Sequence, residues 1–355
     1  MSNSYSQLGI EGVDHLEFAV ADLESVSQLY SRLGFEKMAV REIGQRQLRS
    51  ILIGQGEVRI VLSRSQLTTD PVSQFVSTHG DGIMAIAFRC DNTVTALETT
   101  VSRGATLLSA PMKVARDFGQ IEKASIRTVG DVQHTFIQRC GSLFDEGFDE
   151  PVGHGPVGFG IEGIDHITMN VEQGKMKEWA RFYEKVFGFN NTRFFDIHTE
   201  RTGLYSYVME SPDGVVKMPI NEPTEEASQI QEFLNINHGA GVQHVALTTR
   251  NILSSLKQLK SRGVPFLEVP DTYYETVPKR IPRLRESLSD LQSASVLADG
   301  DDTGYLLQNF TQNLIGPFFY ELIQREGNKG FGEGNFRALF EAIERDQIRR
   351  GILKE

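Results

Sequence analysis

Three residues in the later half of this 355-residue chain, His166, His244 and Glu321, offer the most specific chemistry in the sequence. Two neutral imidazoles and a carboxylate on one face of a divalent ion leave the other coordination positions open. That donor set is the facial triad of non-haem Fe(II) oxygenases. Spacing alone does not single these residues out. The separations are long, they match no short motif, and a lone histidine on a strand is more often hydrogen-bonded structure than a ligand. What singles them out is an internal repeat.

The segment GIEGVDH at 9–15 returns as GIEGIDH at 160–166. LYSRLGF at 29–35 is answered by FYEKVFGF at 182–189, and HGDG at 79–82 by HGAG at 238–241. SRGATLLSAP at 102–111 is answered by SRGVPFLEVP at 261–270, and HTFIQR at 134–139 by YELIQR at 320–325. Matches in the same order mean one module used twice, a pattern to be read before any other. At equivalent positions His166 matches His15, His244 matches Ala85 and Glu321 matches Thr135. The first copy keeps one of three donors, so the metal is expected in the second copy only, with His15 structural.

The elements that must carry these residues are strands. Alternate side chains of a strand share a face. His166 then faces the same way as Thr168 and Asn170, with Ile167 and Met169 packed behind. His244 shares a side with Ala246, and Glu321 with Phe319 and Ile323. A carboxylate between Tyr320 and Leu322 is costly to bury without a partner, and a metal ion is such a partner. Gln243, next to His244, is expected on the opposite side of its strand. His79, His134, His154, His198 and His238 read as turn residues or as lacking partners. Each half also looks double inside, with a strand, a helix and further strands used about four times in all. Helices are predicted over 22–33, 92–103, 172–187 and 251–262, the last with Leu253, Leu256 and Leu259 in register and Gly263 where it should stop. Residues 141–159, rich in Gly, Pro and acids, read as a linker. The insert 271–295 and an amphipathic tail helix over 333–350, with Phe336, Leu339, Phe340 and Ile343 on one side, have no counterpart in the first copy.

Bulk properties bound the function. The length suits two or three domains, and 39% hydrophobic residues is ordinary for a globular chain. A formal charge of −11 argues against a nucleic-acid partner. The N-terminus has no basic patch followed by an apolar run, and no apolar stretch approaches a membrane span. Cys90 and Cys140 are the two cysteines and form no CxxC pattern. A cytoplasmic, reduced, soluble protein is expected.

The motifs IDHITMNV, MPINEP, SQIQEFL, HGAGVQHVAL, LLQNFT, FFYELIQR and GFGEGNF, in this order, resemble the 4-hydroxyphenylpyruvate dioxygenase family of the vicinal-oxygen-chelate superfamily. The resemblance spans essentially the whole chain and is closest to the bacterial type. Where eukaryotic members carry PxxDRPT, this chain reads QNLIGPFF. The resemblance implies an α+β fold of four βαβββ modules, paired into two open barrel-like domains. Residues 1–150 would form a metal-free structural domain. Residues 151–355 would form the catalytic domain, with a C-terminal lid helix.

The resemblance also implies one Fe(II) per chain on His166, His244 and Glu321, with O2 as co-substrate. It places Ser206, Pro219, Asn221, Gln229, Gln308, Phe310, Phe319, Asn335 and Phe336 around an aromatic 2-oxo acid. Ser206, Asn221, Gln229, Gln243 and Gln308 form the polar set that would take part in catalysis. The implied reaction turns 4-hydroxyphenylpyruvate and O2 into homogentisate and CO2, in tyrosine and phenylalanine catabolism, by a homo-oligomer (dimer or tetramer). Three rivals share the fold: a 4-hydroxymandelate synthase, an extradiol ring-cleaving dioxygenase, and a metal-free protein that binds an aromatic ligand. Pro219, Asn221 and Phe310 match the ring-hydroxylating type. Extradiol enzymes lack the GFGEGNF and SQIQ segments, and a pure binder needs no triad.

Overall fold

The computed structural model describes residues 8–145, 147–148, 158–198, 203–336, 338 and 348. The expected boundary at 150/151 falls outside them, as does the tail helix apart from Phe336, Ala338 and Ile348.

The repeat is visible in the order of elements. The first half runs β1 (Ile10–Ala19), α1 (Leu23–Arg32), β2 (Glu36–Ile43), β3 (Leu48–Gln55) and β4 (Val58–Ser65). After a connecting helix α2 (Pro71–His79) it repeats as β5 (Gly82–Cys90), α3 (Thr93–Ser102), β6 (Thr106–Arg116), β7 (Gly119–Arg127) and β8 (Gln133–Gly141). The second half follows the same plan. It begins with β9 (Ile161–Asn170), α4 (Met176–Phe182), β10 (Asn190–His198), β11 (Gly203–Glu210) and β12 (Lys217–Pro223), then α5 (Gln229–Ile236). It continues with β13 (Gly241–Thr249), α6 (Ile252–Ser261), the insert helices α7 (Asp271–Tyr274), α8 (Val277–Arg280) and α9 (Leu288–Ala294), and then β14 (Leu297–Asp301), β15 (Gly304–Phe310) and β16 (Phe319–Glu326). This is the βαβββ unit used four times. Helix starts are set chemically: Asp22 accepts from the amides of Glu24 and Ser25, and Asn251 from that of Ser254. Gly263, with φ of +76°, follows the end of α6 as the sequence predicts.

Each half is an open, curled eight-stranded sheet. The orders are β2-β3-β4-β1-β5-β8-β7-β6 and β10-β11-β12-β9-β13-β16-β15-β14. In the second sheet the central β13 runs antiparallel to β9 and parallel to β16. The three donors therefore come from three adjacent strands at the middle of one sheet.

The halves interlock through two buried hydrogen bonds at equivalent positions of the repeat. Tyr30 on α1 meets the Tyr320 hydroxyl of β16 at 2.7 Å, and Tyr183, just after α4, meets His134 Nε2 of β8 at 2.8 Å. His134 is thus a partnered core histidine on a strand, correcting the expectation of a turn residue without a partner. Burial pushes its pKa down to about 3, which keeps the ring neutral. His79 also departs from that expectation, since it ends α2 buried, with Nδ1 2.8 Å from the Asn237 carbonyl. Removing one hydroxyl of the tyrosine pair leaves the other without its partner. Tyr320→Phe alone is expected to cost about 1–3 kcal/mol, and Tyr30→Phe with Tyr320→Phe much less than twice that. Urea unfolding of the three variants checks the difference.

Part of the presumed linker is packed structure. Phe144 and Phe148 are buried with Ala39, Leu52 and Val61, and Phe144 lies 5.0 Å from the His15 ring. Asp145 is paired with Arg41 and Lys123. The face of the first sheet that corresponds to the metal face is thus covered by aromatic rings and ion pairs.

Candidate metal centre and cavity

Register explains how three strands aim at one point. Ala246 of β13 pairs with His166 on one side and with Glu321 on the other. The outer two strands stand about 10 Å apart, twice the strand spacing. His166 and Glu321 lean toward each other over the small Ala246, and His244 joins from two residues along β13. His166 Nε2 lies 3.3 Å from Glu321 Oε2, and His244 Nε2 lies 3.8 Å from the same oxygen. One ligand atom from each residue lies within 4.8 Å of the others. An ion about 2.1 Å from three donors at right angles would set them about 3 Å apart, so the cluster is close to ligating geometry as it stands. The side chains are 4%, 13% and 3% exposed, too dry for an uncompensated carboxylate. The donor set fits a divalent iron.

The donors are themselves held. Arg325 grips Asp165 with two hydrogen bonds of 2.7 Å, and Asp165 Oδ1 accepts from His166 Nδ1 at 2.9 Å. This leaves Nε2 of His166 for the metal, the usual role of a carboxylate behind a ligating histidine. Gln308 Nε2 donates to Glu321 Oε1 at 3.0 Å, turning Oε2 toward the imidazoles. Gln243 Oε1 lies 3.3 Å from His244 Nδ1, and Phe319 stacks on the His244 ring at 4.8 Å. Gln243 therefore faces the cavity, not the far side of its strand. The cause is a shift in the β9–β13 register between Val242 and His244, which makes Gln243 an extra residue and breaks the alternation.

Electrostatics agree with a site built for a cation. Burial disfavours charge on His166, yet Glu321 and Asp165 outweigh it and raise its pKa to about 9. Burial and the charge on His166 push His244 well below its ordinary value. Without metal, a proton on His166 offsets the Glu321 charge, and an incoming dication must displace it. Metal affinity is therefore expected to rise about tenfold per pH unit from neutrality and to level off near pH 9. A Co(II) titration at several pH values checks this; affinity independent of pH would contradict it.

The triad and all of the side chains that the sequence places around the substrate line one cavity of about 690 Å³, open mouth included. Ser206 and Asn221 sit opposite each other on β11 and β12. Gln229 opens α5, which Ser228 caps by accepting from the Ile230 amide. Phe310 ends β15, while Asn335 and Phe336 reach in from the segment after β16. Asn221 donates to Asn170 at 3.3 Å. Sequence reasoning missed Phe195, Ile197, Leu204, Val208 and Phe331, which complete the apolar wall. Phe195 and Ile197 alternate along β10, a signal that was available. Phe331, 5.3 Å from the His166 ring, follows the last strand and had no periodicity to betray it.

Comparison with known proteins agrees with this geometry. Residues 5–149 match the family model described as hydroxyphenylpyruvate dioxygenase, N-terminal, and residues 163–278 match the glyoxalase/bleomycin resistance protein/dioxygenase superfamily. The chain is 39% identical to a 4-hydroxyphenylpyruvate dioxygenase of Pseudomonas aeruginosa, covering 98% of both chains. It belongs to the hydroxyphenylpyruvate dioxygenase family. A Legionella pneumophila 4-hydroxyphenylpyruvate dioxygenase is 38% identical, over 98% of this chain and 97% of that one. Among solved structures, a triple mutant of 4-hydroxymandelate synthase from Streptomyces coelicolor superposes with a TM-score of 0.87 at 31% identity, covering 96% of this chain and 99% of that one. Membership and triad together support an Fe(II)-dependent oxidative decarboxylase. No helix among the described residues is long and apolar enough to cross a membrane.

Proposed function

We propose that this chain converts 4-hydroxyphenylpyruvate and O2 into homogentisate and CO2, with one Fe(II) held by His166, His244 and Glu321. The observation that carries the reading is the triad itself, opening into a cavity that combines aromatic walls with amide side chains. Atoms balance: the substrate loses its carboxyl group as CO2, one oxygen atom enters the new carboxylate and the other the ring, and the side chain moves to the neighbouring ring carbon. Bound iron would supply the activation of O2 and a template for the 2-oxo acid. The protein's share is positioning. Gln308 holds Glu321 in one orientation, and Asp165 fixes the His166 tautomer. Phe319 and Phe336 offer flat faces to an aromatic ring. Ser206, Asn221 and Gln229 offer hydrogen bonds to polar groups at its ends. Phe331 and Phe336 help exclude water from the reacting groups.

The test is aerobic incubation of iron-loaded protein with 4-hydroxyphenylpyruvate and identification of the product. Homogentisate with one CO2 per turnover is expected. 4-Hydroxymandelate would assign side-chain hydroxylation instead, and absence of turnover with full iron occupancy would overturn the reading.

A further inference from the structure

The insert between α6 and β14 has no counterpart in the first half, and none of its side chains lines the cavity. It nevertheless touches the segment Phe331–Phe336, which lines the cavity through Phe331, Gly332, Asn335 and Phe336. The Tyr273 hydroxyl of α7 lies 2.6 Å from Asn335 Oδ1. Arg280 of α8 donates to that hydroxyl at 3.0 Å and to the Gly334 carbonyl at 3.2 Å. Asp299 of β14 accepts from the Gly334 amide at 2.8 Å and faces Arg280. A Cβ at Gly334 would overlap the Asp299 carboxylate, and one at Gly332 would overlap the Gln308 amide. The turn is seated as closely as a backbone allows.

The donors along this path all point one way. Arg280 donates to Tyr273 and Tyr273 to Asn335. Asn335 Nδ2 donates to Gln308 Oε1 at 2.9 Å, and Gln308 Nε2 donates to Glu321 Oε1 at 3.0 Å. A chain that starts on a guanidinium, ends on a carboxylate and never reverses is mutually polarised, so each bond strengthens the next. The Tyr273 hydroxyl has one proton and two acceptors in reach, Asn335 Oδ1 and, at 2.8 Å, the Ala298 carbonyl. If the turn lifts away, that proton has somewhere to go. The contact can therefore open without stranding a buried donor.

We infer that Tyr273 and Arg280 are positioning residues that clasp the turn Phe331–Phe336 and, through Asn335 and Gln308, fix the orientation of the Glu321 carboxylate. The inference rests on the metal reading of the triad. Cavity closure and ligand orientation become one event, because Asn335 is both part of the turn and a link in the chain.

The test uses the full chain loaded with Co(II), with two readouts: metal affinity and amide exchange of residues 331–336. Tyr273→Phe keeps the ring and removes the hydroxyl. It is expected to weaken Co(II) binding roughly three- to tenfold, at or below the range for outer partners of a metal ligand, and to speed exchange of the turn by about tenfold. Arg280→Lys, which keeps the charge but not the fork, should move both in the same direction and serves if Tyr273→Phe folds poorly. Combining Tyr273→Phe with Asn335→Ala should add little to the larger single loss, because both cut one chain. Wild-type affinity and exchange in both single variants, or fully additive losses, would overturn the inference. If the parent chain bound no Co(II), the metal reading would fall, and turn exchange would judge the clasp alone.

Discussion

Replacing His244 by alanine is expected to lower metal affinity by more than about a thousandfold and to abolish turnover. The scale follows from comparison. Loss of an outer partner of a metal ligand costs roughly 10–100-fold, and loss of a donor should cost more. Among the described residues these three are the donors grouped around one point, and two alone would leave an ion that water and chelators can strip. The fold should survive, because His244 faces the cavity and its neighbours Val245 and Ala246 carry the packing of β13. Equilibrium dialysis with Co(II), alongside product formation with Fe(II), checks both effects. A metal-replete, active variant would remove the triad from the account.

The second large effect is expected at a residue that touches no metal. Asp165→Asn takes a charge from between Arg325 and His166. The Arg325 side chain is 18% exposed and would face an amide where it now grips a carboxylate. Breaking such a buried pair costs about 3 kcal/mol. Metal affinity should fall roughly 10–100-fold, because a neutral amide holds the His166 ring less firmly and must turn its NH2 toward either Arg325 or His166, both of which are donors. The pH dependence has a definite sign. Burial works against the Asp165 charge, but the hydrogen bonds from Arg325 and His166 win and hold its carboxyl far below the ordinary carboxylate range. Stability from this contact is therefore fully present above that range, begins to be lost as pH falls into it, and is gone only below the depressed native value. Acid unfolding of the parent should show this loss below about pH 4, and Asp165→Asn should lack most of it. Equal acid sensitivity of the two proteins would contradict the assignment.

The triad was legible because the chain carries its own control. The first half presents His15, Ala85 and Thr135 where the second presents His166, His244 and Glu321, and a difference between copies on one scaffold points to chemistry. The same comparison is blind to what both copies share. Asp14 and Arg139 pair in the first half as Asp165 and Arg325 do in the second, with His15 and His166 bonded alike. The clamp behind the ligand therefore cancels in the comparison, although DH and QR stand in both copies of the sequence. Gln243 was misdirected because alternation assumes an unbroken ladder, and one extra residue in β13 resets it. The tyrosine contacts between the halves join residues 290 and 49 positions apart, and no local pattern announces them. Tyr273 was hidden for a different reason: an insert with no counterpart has nothing to be compared with.

The central claim is that one ion sits where β9, β13 and β16 converge. The most direct measurement is anomalous diffraction at the iron edge from crystals of the Fe(II)-loaded protein grown without oxygen. The account predicts a single peak per chain, roughly 2.0–2.3 Å from His166 Nε2, His244 Nε2 and a Glu321 oxygen. A peak bound elsewhere, or a fully loaded protein whose peak misses any one of these three side chains, would contradict it.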